Sequence, residues 1–319
     1  MTKRIVSLIM AMMLVLGIVP ISAADVADGD YTYEIYDGEA TITGYTGTDK
    51  NIELPATLDG YPITKIGAGA FNSRDHLESV VIPEGVTYIG TGAFSSCQNL
   101  NTVVISSEVE FIENYAFKRC DQLTEINIPG SVKVLYNEAF GSCINLGTAT
   151  FNNPRTVIIG RVIMGGVGAL FHPAFYNSPN LKTIYGYYGS TAEEFANEQD
   201  ATFIPLPKVQ IGEEQLLFDI PAQFENGRVL VPMRAVFEAF GAQVGWDEAT
   251  QTITAIKGDT QISLQIDSSV VTVNGIDKEL DVPARMVSDR TMVPIRAISE
   301  ALGADVQWDQ NAYAVTITP

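Results

Sequence analysis

Histidine is nearly absent from this 319-residue chain, which has two, His76 and His172, 96 residues apart. General bases, nucleophile activators and nitrogen-rich metal sites draw first on imidazole, so so low a count removes most of those chemistries. Positive charge is scarce as well, with 19 Lys and Arg against 38 Asp and Glu. Binding to phosphate needs clustered cations, which excludes nucleic acid and anionic lipid as partners. Three cysteines in an exported chain would ordinarily suggest one disulfide and an odd thiol. A membrane-spanning helix needs about 20 apolar residues, and the uncharged run Ile5 to Val19 has only 15. No G-x-S-x-G elbow, H-E-x-x-H helix, Cys–His pairing or calcium loop is found. The acids of "GEATITG" and "DVADGD" say little in a chain with 38 carboxylates.

What is present begins with a processing signal. Lys3 and Arg4 precede the 15-residue apolar run, and Ser22 and Ala24 stand three and one before a plausible cut. Residues 1–24 are therefore expected to be a signal peptide, and the mature chain to carry no membrane span. Its loss leaves 17 basic against 38 acidic side chains, a formal charge of −21. The remaining 295 residues exceed the usual span of one hydrophobic core, so two domains are expected.

The N-terminal half is periodic. Ala-Phe pairs recur every 23 residues at Ala70-Phe71, Ala93-Phe94, Ala116-Phe117 and Ala139-Phe140, and Leu77, Leu100, Leu123 and Leu146 each follow six residues after the Phe. A period of about 20–29 residues marks a leucine-rich solenoid, whose units bury their apolar faces only by stacking. Before the repeats, "YTYEIYDGEATITGY" reads as a hairpin about Asp37-Gly38. Leu77, Val80 and Ile82 form an inward strand face, Pro83 and Pro129 end strands, and Val86 and Ile89 open a second short strand. Cys97, Cys120 and Cys143 share one repeat phase, with Arg74 and Ser178 at the same phase in the outer units. They are expected to be reduced, buried packing residues. The step from Phe140 to Phe175 is 35 residues, which inserts 12, with a Gly-rich stretch at Met164 to Gly168. Ser190 with Glu193 has capping-box spacing, and Ala192, Phe195 and Ala196 form a helical stripe suited to sealing the last coil.

In its period, its AF-x-x-C-x-x-L spacing and its "IYGYYGSTAEEFA" ending, the region 25–206 resembles the BspA-type leucine-rich repeat proteins of bacterial and protozoan surfaces. The resemblance implies surface display and adhesion to host or matrix proteins, with no binding residue that can be carried over.

Past the short connector bracketed by Pro205 and Pro207, a second repeat appears at an offset of 62. "RVLVPMRAVFEAFGAQVGWDEATQTITAI" from Arg228 matches "RTMVPIRAISEALGADVQWDQNAYAVTIT" from Arg290 without gaps. Each copy reads as strand, turn, Pro-started helix, Gly stop and hairpin. The paired V-P-[MI]-R-A blocks and W-D steps of 208–319 resemble the copper amine oxidase N-terminal-like domain of exported Firmicute proteins. That domain is implied to be a small non-catalytic α+β stalk. Catalysis in true amine oxidases needs a separate domain with three His ligands and a Tyr-derived quinone, and two histidines, both in the solenoid, exclude it. No cofactor, metal or catalytic residue is expected.

Arg234, Trp246, Arg296 and Trp308 are the candidate ligand contacts, a repeated groove in which an indole stacks on a sugar face. In the alternative, each Arg ties its helix start to the hairpin and each Trp fills the core. Arg234 with Glu238 and Arg296 with Glu300 also stand four apart on a helix, where a pair is worth a few tenths of a kcal/mol. The sequence thus describes a β-rich leucine-rich-repeat solenoid followed by a small tandem α+β domain. Its expected role is that of a secreted or non-covalently surface-held, non-enzymatic adhesion protein of Gram-positive type. Its expected partner is an extracellular protein or glycan, with the cell wall as a point of attachment. The alternative is a secreted hydrolase or an accessory module of an extracellular enzyme.

Overall fold

The computed structural model describes residues 26–159, 172–287 and 290–319. The signal-peptide expectation at 1–24 and the Gly-rich stretch at Met164 to Gly168 lie outside them. Strands Tyr31–Tyr36 and Glu39–Tyr45 pair antiparallel about Asp37 (φ 53°) and Gly38 (φ 82°). Two successive left-handed residues match the twist of a two-residue hairpin.

The chain then coils. Strands Tyr61–Ile66, Tyr88–Ile89, Phe111–Ile112, Val134–Leu135 and Val157–Ile158 run parallel along one side and extend the hairpin into a nine-stranded sheet. Tyr88 stands beside Phe111, Phe111 beside Val134 and Val134 beside Val157, so each coil sits in register on the last. The second strand of each coil is shorter than its sequence suggests, because Val86 lies buried in the turn before Tyr88–Ile89. On the other side, Asn51–Glu53, Ser79–Val81 and Thr102–Val104 form one parallel sheet. Glu125–Ile128, Thr148–Phe151, Thr183–Gly186 and Thr202–Pro205 form the next.

Between the two sides runs a column of rings. Phe71, Phe94, Phe117 and Phe140 lie 4.8, 5.1 and 5.1 Å apart and within 11° of parallel, and Phe175 continues the column 5.4 Å beyond Phe140. Each coil therefore supplies half of its neighbour's core, which is why no single unit is stable alone. A helix, α1 (Thr191–Glu198), closes the column with buried Ala192, Phe195 and Ala196. Ser190 Oγ accepts from the Glu193 amide at 3.3 Å, and the Glu193 carboxylate accepts from the Gly189 amide at 2.6 Å.

The cysteines do more than fill space. Cys97, Cys120 and Cys143 are free and buried, and their thiols donate to the carbonyls of Phe71, Phe94 and Phe117 at 3.1, 3.4 and 3.1 Å. At the same phase Arg74 Nε donates to Tyr45 O at 2.8 Å and Ser178 Oγ to Phe140 O at 3.0 Å. The position is thus a donor site joining each coil to the one before, which the expectation of simple packing missed. Cys120→Ser is expected to keep the native melting point, whereas Cys120→Val loses the donor at a cost of about 1 kcal/mol. Equal melting points for the two variants would leave the thiol with packing alone.

Burial pushes the Cys97 and Cys143 thiols up to about 12 and raises Cys120 well above its usual range. Burial likewise pushes Tyr31 and Tyr88 up to about 12. These groups ionise in the unfolded chain first, so their share of stability is intact below about pH 8.5 and falls as pH climbs toward 12. Urea unfolding at pH 7, 9 and 11 is expected to give a falling midpoint, and a flat profile would contradict it.

The C-terminal domain has its own core, built on Val236, Phe237, Ile262, Leu264, Ile298 and Ile317, which shares no residue with the solenoid core. Strand Arg228–Pro232 leads into α2 (Met233–Ala239), and Arg290–Pro294 into α3 (Ile295–Ala301). Pro232 and Pro294 occupy the cap position just before each helix rather than its first turn. Gly241 (φ 72°) and Gly303 (φ 85°) end the helices as expected. The two entering strands pair antiparallel, Leu230 with Pro294, Val231 with Val293 and Pro232 with Met292. Asp219 pairs with Arg290 at 2.5 Å and Asp281 with Arg228 at 2.6 Å, each tying one of these strands to a segment distant in sequence.

Candidate functional site

The four candidate residues fall into two clefts rather than one. Strand Gln243–Asp247 follows α2 and carries Trp246, while strand Asp305–Asp309 follows α3 and carries Trp308. The Arg of each helix's first turn and the Trp of the strand that follows line one cleft. Arg234, Glu238, Trp246, Met286 and Arg290 line the first cleft, of about 620 Å³. Arg296, Trp308, Phe224 and Arg228 line the second, of about 150 Å³. Only the first is of the size that holds a small ligand, roughly 300–1,000 Å³.

The difference has a visible cause. In the second cleft Phe224 stacks on Trp308 at 5.4 Å and 26°, and Tyr313 closes edge-on at 5.2 Å and 71°. The positions equivalent to these two in the first cleft, at the 62-residue offset, are Met286 and Gln251. Trp246 is left 47% exposed, which rules out a core-filling role for it. Met286 is held at the rim, its sulfur accepting from Thr291 Oγ1 at 3.3 Å.

The helix ion pairs expected from sequence do not form. Arg234, Glu238, Arg296 and Glu300 are all exposed, and none has an ion-pair partner among the described residues. In a seven-residue helix facing solvent, water competes on equal terms with an i,i+4 pair. Nor does either Arg tie its helix to the hairpin. Two uncompensated charges, one of each sign, flank the open indole.

The first cleft also has a wall that sequence did not foretell. Glu84 and Ser107 of the solenoid line it, with the Ser107 hydroxyl donating to the Glu84 carboxylate at 3.1 Å. They are brought there by a direct junction between the halves. The Asp219 carbonyl accepts from Asn127 Nδ2 at 2.6 Å and Asn152 Nδ2 at 3.0 Å. Gly130 lies so close that a Cβ there would meet Leu217 Cβ at 2.8 Å. Residues 217–219 are thus held on the solenoid, not strung free behind a connector. Gly130→Val is expected to loosen this junction, raising proteolytic cleavage near 206–219. An unchanged cleavage pattern would contradict that.

Among the described residues no group of three His, Cys, Asp or Glu side chains converges to hold a metal ion, and no helix is long and apolar enough to cross a membrane.

Residues 64–189 match the BspA type leucine rich repeat region in six copies, and residues 210–317 match the copper amine oxidase N-terminal domain. The chain therefore carries a region similar to the BspA type leucine rich repeat region, followed by one similar to the copper amine oxidase N-terminal domain. It is 27% identical over 121 residues to a protease inhibitor of Brevibacillus choshinensis, which is 37% of this chain and 37% of that relative's length. Among solved structures it is similar to the T. pallidum leucine rich repeat protein (25% identity, 51% of this chain and 71% of that one, TM-score 0.43). A leucine-rich repeat protein from Bacteroides capillosus is 38% identical over 34% of this chain and 86% of its own, with a TM-score of 0.33.

Proposed function

We propose that this chain is an exported, non-catalytic adhesion protein. The solenoid, read as a stack of 23-residue coils, presents an extended surface to an extracellular protein or glycan. The C-terminal domain, read as two copies at an offset of 62, serves as a stalk or cell-wall attachment module, with Arg234 and Trp246 as its ligand contacts. The observation that carries this is the division of the molecule: two cores with no common residue, one of them a continuous column whose strands leave long outer faces to solvent. Such a body offers area rather than a convergent catalytic pocket, and its affinity is expected to be spread over several coils. The BspA-type region supports display on a bacterial surface.

A pull-down with mature protein on the producing cell's wall and on host matrix proteins tests this, run beside a glycosidase and peptidase screen. Retention on one of the surfaces without turnover is expected; turnover without retention would replace adhesion by hydrolysis. A second role, inhibition of a protease, is favoured by the name of the Brevibacillus relative. Stoichiometric loss of activity in a panel of secreted proteases would reveal it.

A further inference from the structure

We propose that the cleft on Trp246 is a saccharide subsite that takes one neutral pyranose ring of a glycan. This rests on Arg234 and Trp246 being ligand contacts, and adds which half binds, what enters and why its twin does not. The repeat at an offset of 62 supplies the template. In the second cleft a six-membered ring, that of Phe224, already lies on the indole of Trp308, so that cleft is filled by the protein itself. The first cleft has the same helix, strand and Arg, but Met286 in place of the covering ring, and its indole face is open.

The surroundings decide which ring fits. Glu84, Ser107, Arg234, Glu238 and Thr291 line the cleft with hydrogen-bonding groups of both signs, around the apolar indole of Trp246 with Met286 at the rim. An aromatic side chain would cover the indole and strip water from those polar groups without replacing it. A pyranose has an apolar C–H face for the indole and a rim of hydroxyls that both donate and accept, so a carboxylate and a guanidinium are each satisfied. Charge selects against an acidic sugar: Glu84, Asp219 and Glu238 outnumber Arg234 and Arg290, in a mature chain of formal charge −21. Because Glu84 and Ser107 belong to the solenoid, the bound sugar would bridge both halves.

The chain has two tryptophans, so Trp308→Phe leaves Trp246 as its one indole reporter. That variant of the mature chain is screened on an array of neutral glycans, and hits are titrated by tryptophan emission. Binding with a change in Trp246 emission is expected. In the otherwise native chain, Met286→Phe, which rebuilds the self-filled twin, is expected to weaken binding about tenfold or more, as is the exposed Arg234→Gln. Phe224→Met, at the twin cleft, is expected to leave the Trp246 site unchanged. Circular dichroism checks that each variant folds, and Arg234→Gln carries the test should Met286→Phe not. No neutral glycan bound, a hit insensitive to Arg234→Gln, or acetylphenylalanine amide bound in place of a sugar overturns the proposal. A chain retained on wall or matrix that binds no neutral glycan loses this subsite and keeps the adhesion role.

Discussion

Phe117→Ala is expected to lower the solenoid's melting transition by roughly 6–20 °C while leaving the C-terminal domain's transition in place. Phe117 is fully buried, with Phe94 and Phe140 each 5.1 Å away on its two faces. Removing such a ring costs about 3–5 kcal/mol, and in a body of this size each kcal/mol is worth about 2–4 °C. The hole lies at mid-column, where coils on both sides lose a partner, so relaxation is limited. Differential scanning calorimetry separates the outcomes. One transition moving as a whole would show that the junction at Asn127, Asn152 and Asp219 couples the halves into a single cooperative unit.

Val231→Asp is expected to do the reverse, unfolding the C-terminal domain and sparing the solenoid. Val231 is fully buried opposite Val293, where strands Arg228–Pro232 and Arg290–Pro294 meet. A carboxylate there has no partner, since the neighbouring Arg228 and Arg290 already pair with Asp281 and Asp219. An unpaired polar or charged group in such a core costs several kcal/mol, a large part of a small domain's stability. Near-ultraviolet circular dichroism is expected to lose the Trp246 and Trp308 signals while the solenoid's melting transition persists. Retention of both would show that this contact is less tightly packed than its burial indicates.

The solenoid was legible because its constraint is periodic. Each Phe stacks on the Phe of the next coil and each Cys reaches a Phe carbonyl of the coil before, so spacing along the chain reads out directly as contact. The hairpin at Asp37-Gly38 and the cap at Ser190 were legible for a local reason, turn and capping chemistry within a few residues. The clefts were only half legible. Arg234 and Trp246 stood out as repeated positions, but whether a repeated pair stays open depends on a third residue from a different strand. Phe224 and Met286 differ at one matched position, and Tyr313 and Gln251 at another; that contrast was present in the sequence as a mismatch between copies. Attention to what the copies share hid it. The wall of Glu84 and Ser107, and the seat of Asp219 on Asn127 and Asn152, had no sequence signal. They bring solenoid residues against C-terminal residues 67 or more positions away, with neither periodicity nor motif to join the two halves.

Co-sedimentation of the separate halves with isolated cell walls and with matrix-coated beads tests the division of labour most directly. With fragments 25–206 and 208–319, each built on its own core, the C-terminal fragment is expected to pellet with the walls and the solenoid with the matrix. If 25–206 pellets with the walls while 208–319 stays in solution, the holding and reaching roles are wrongly assigned.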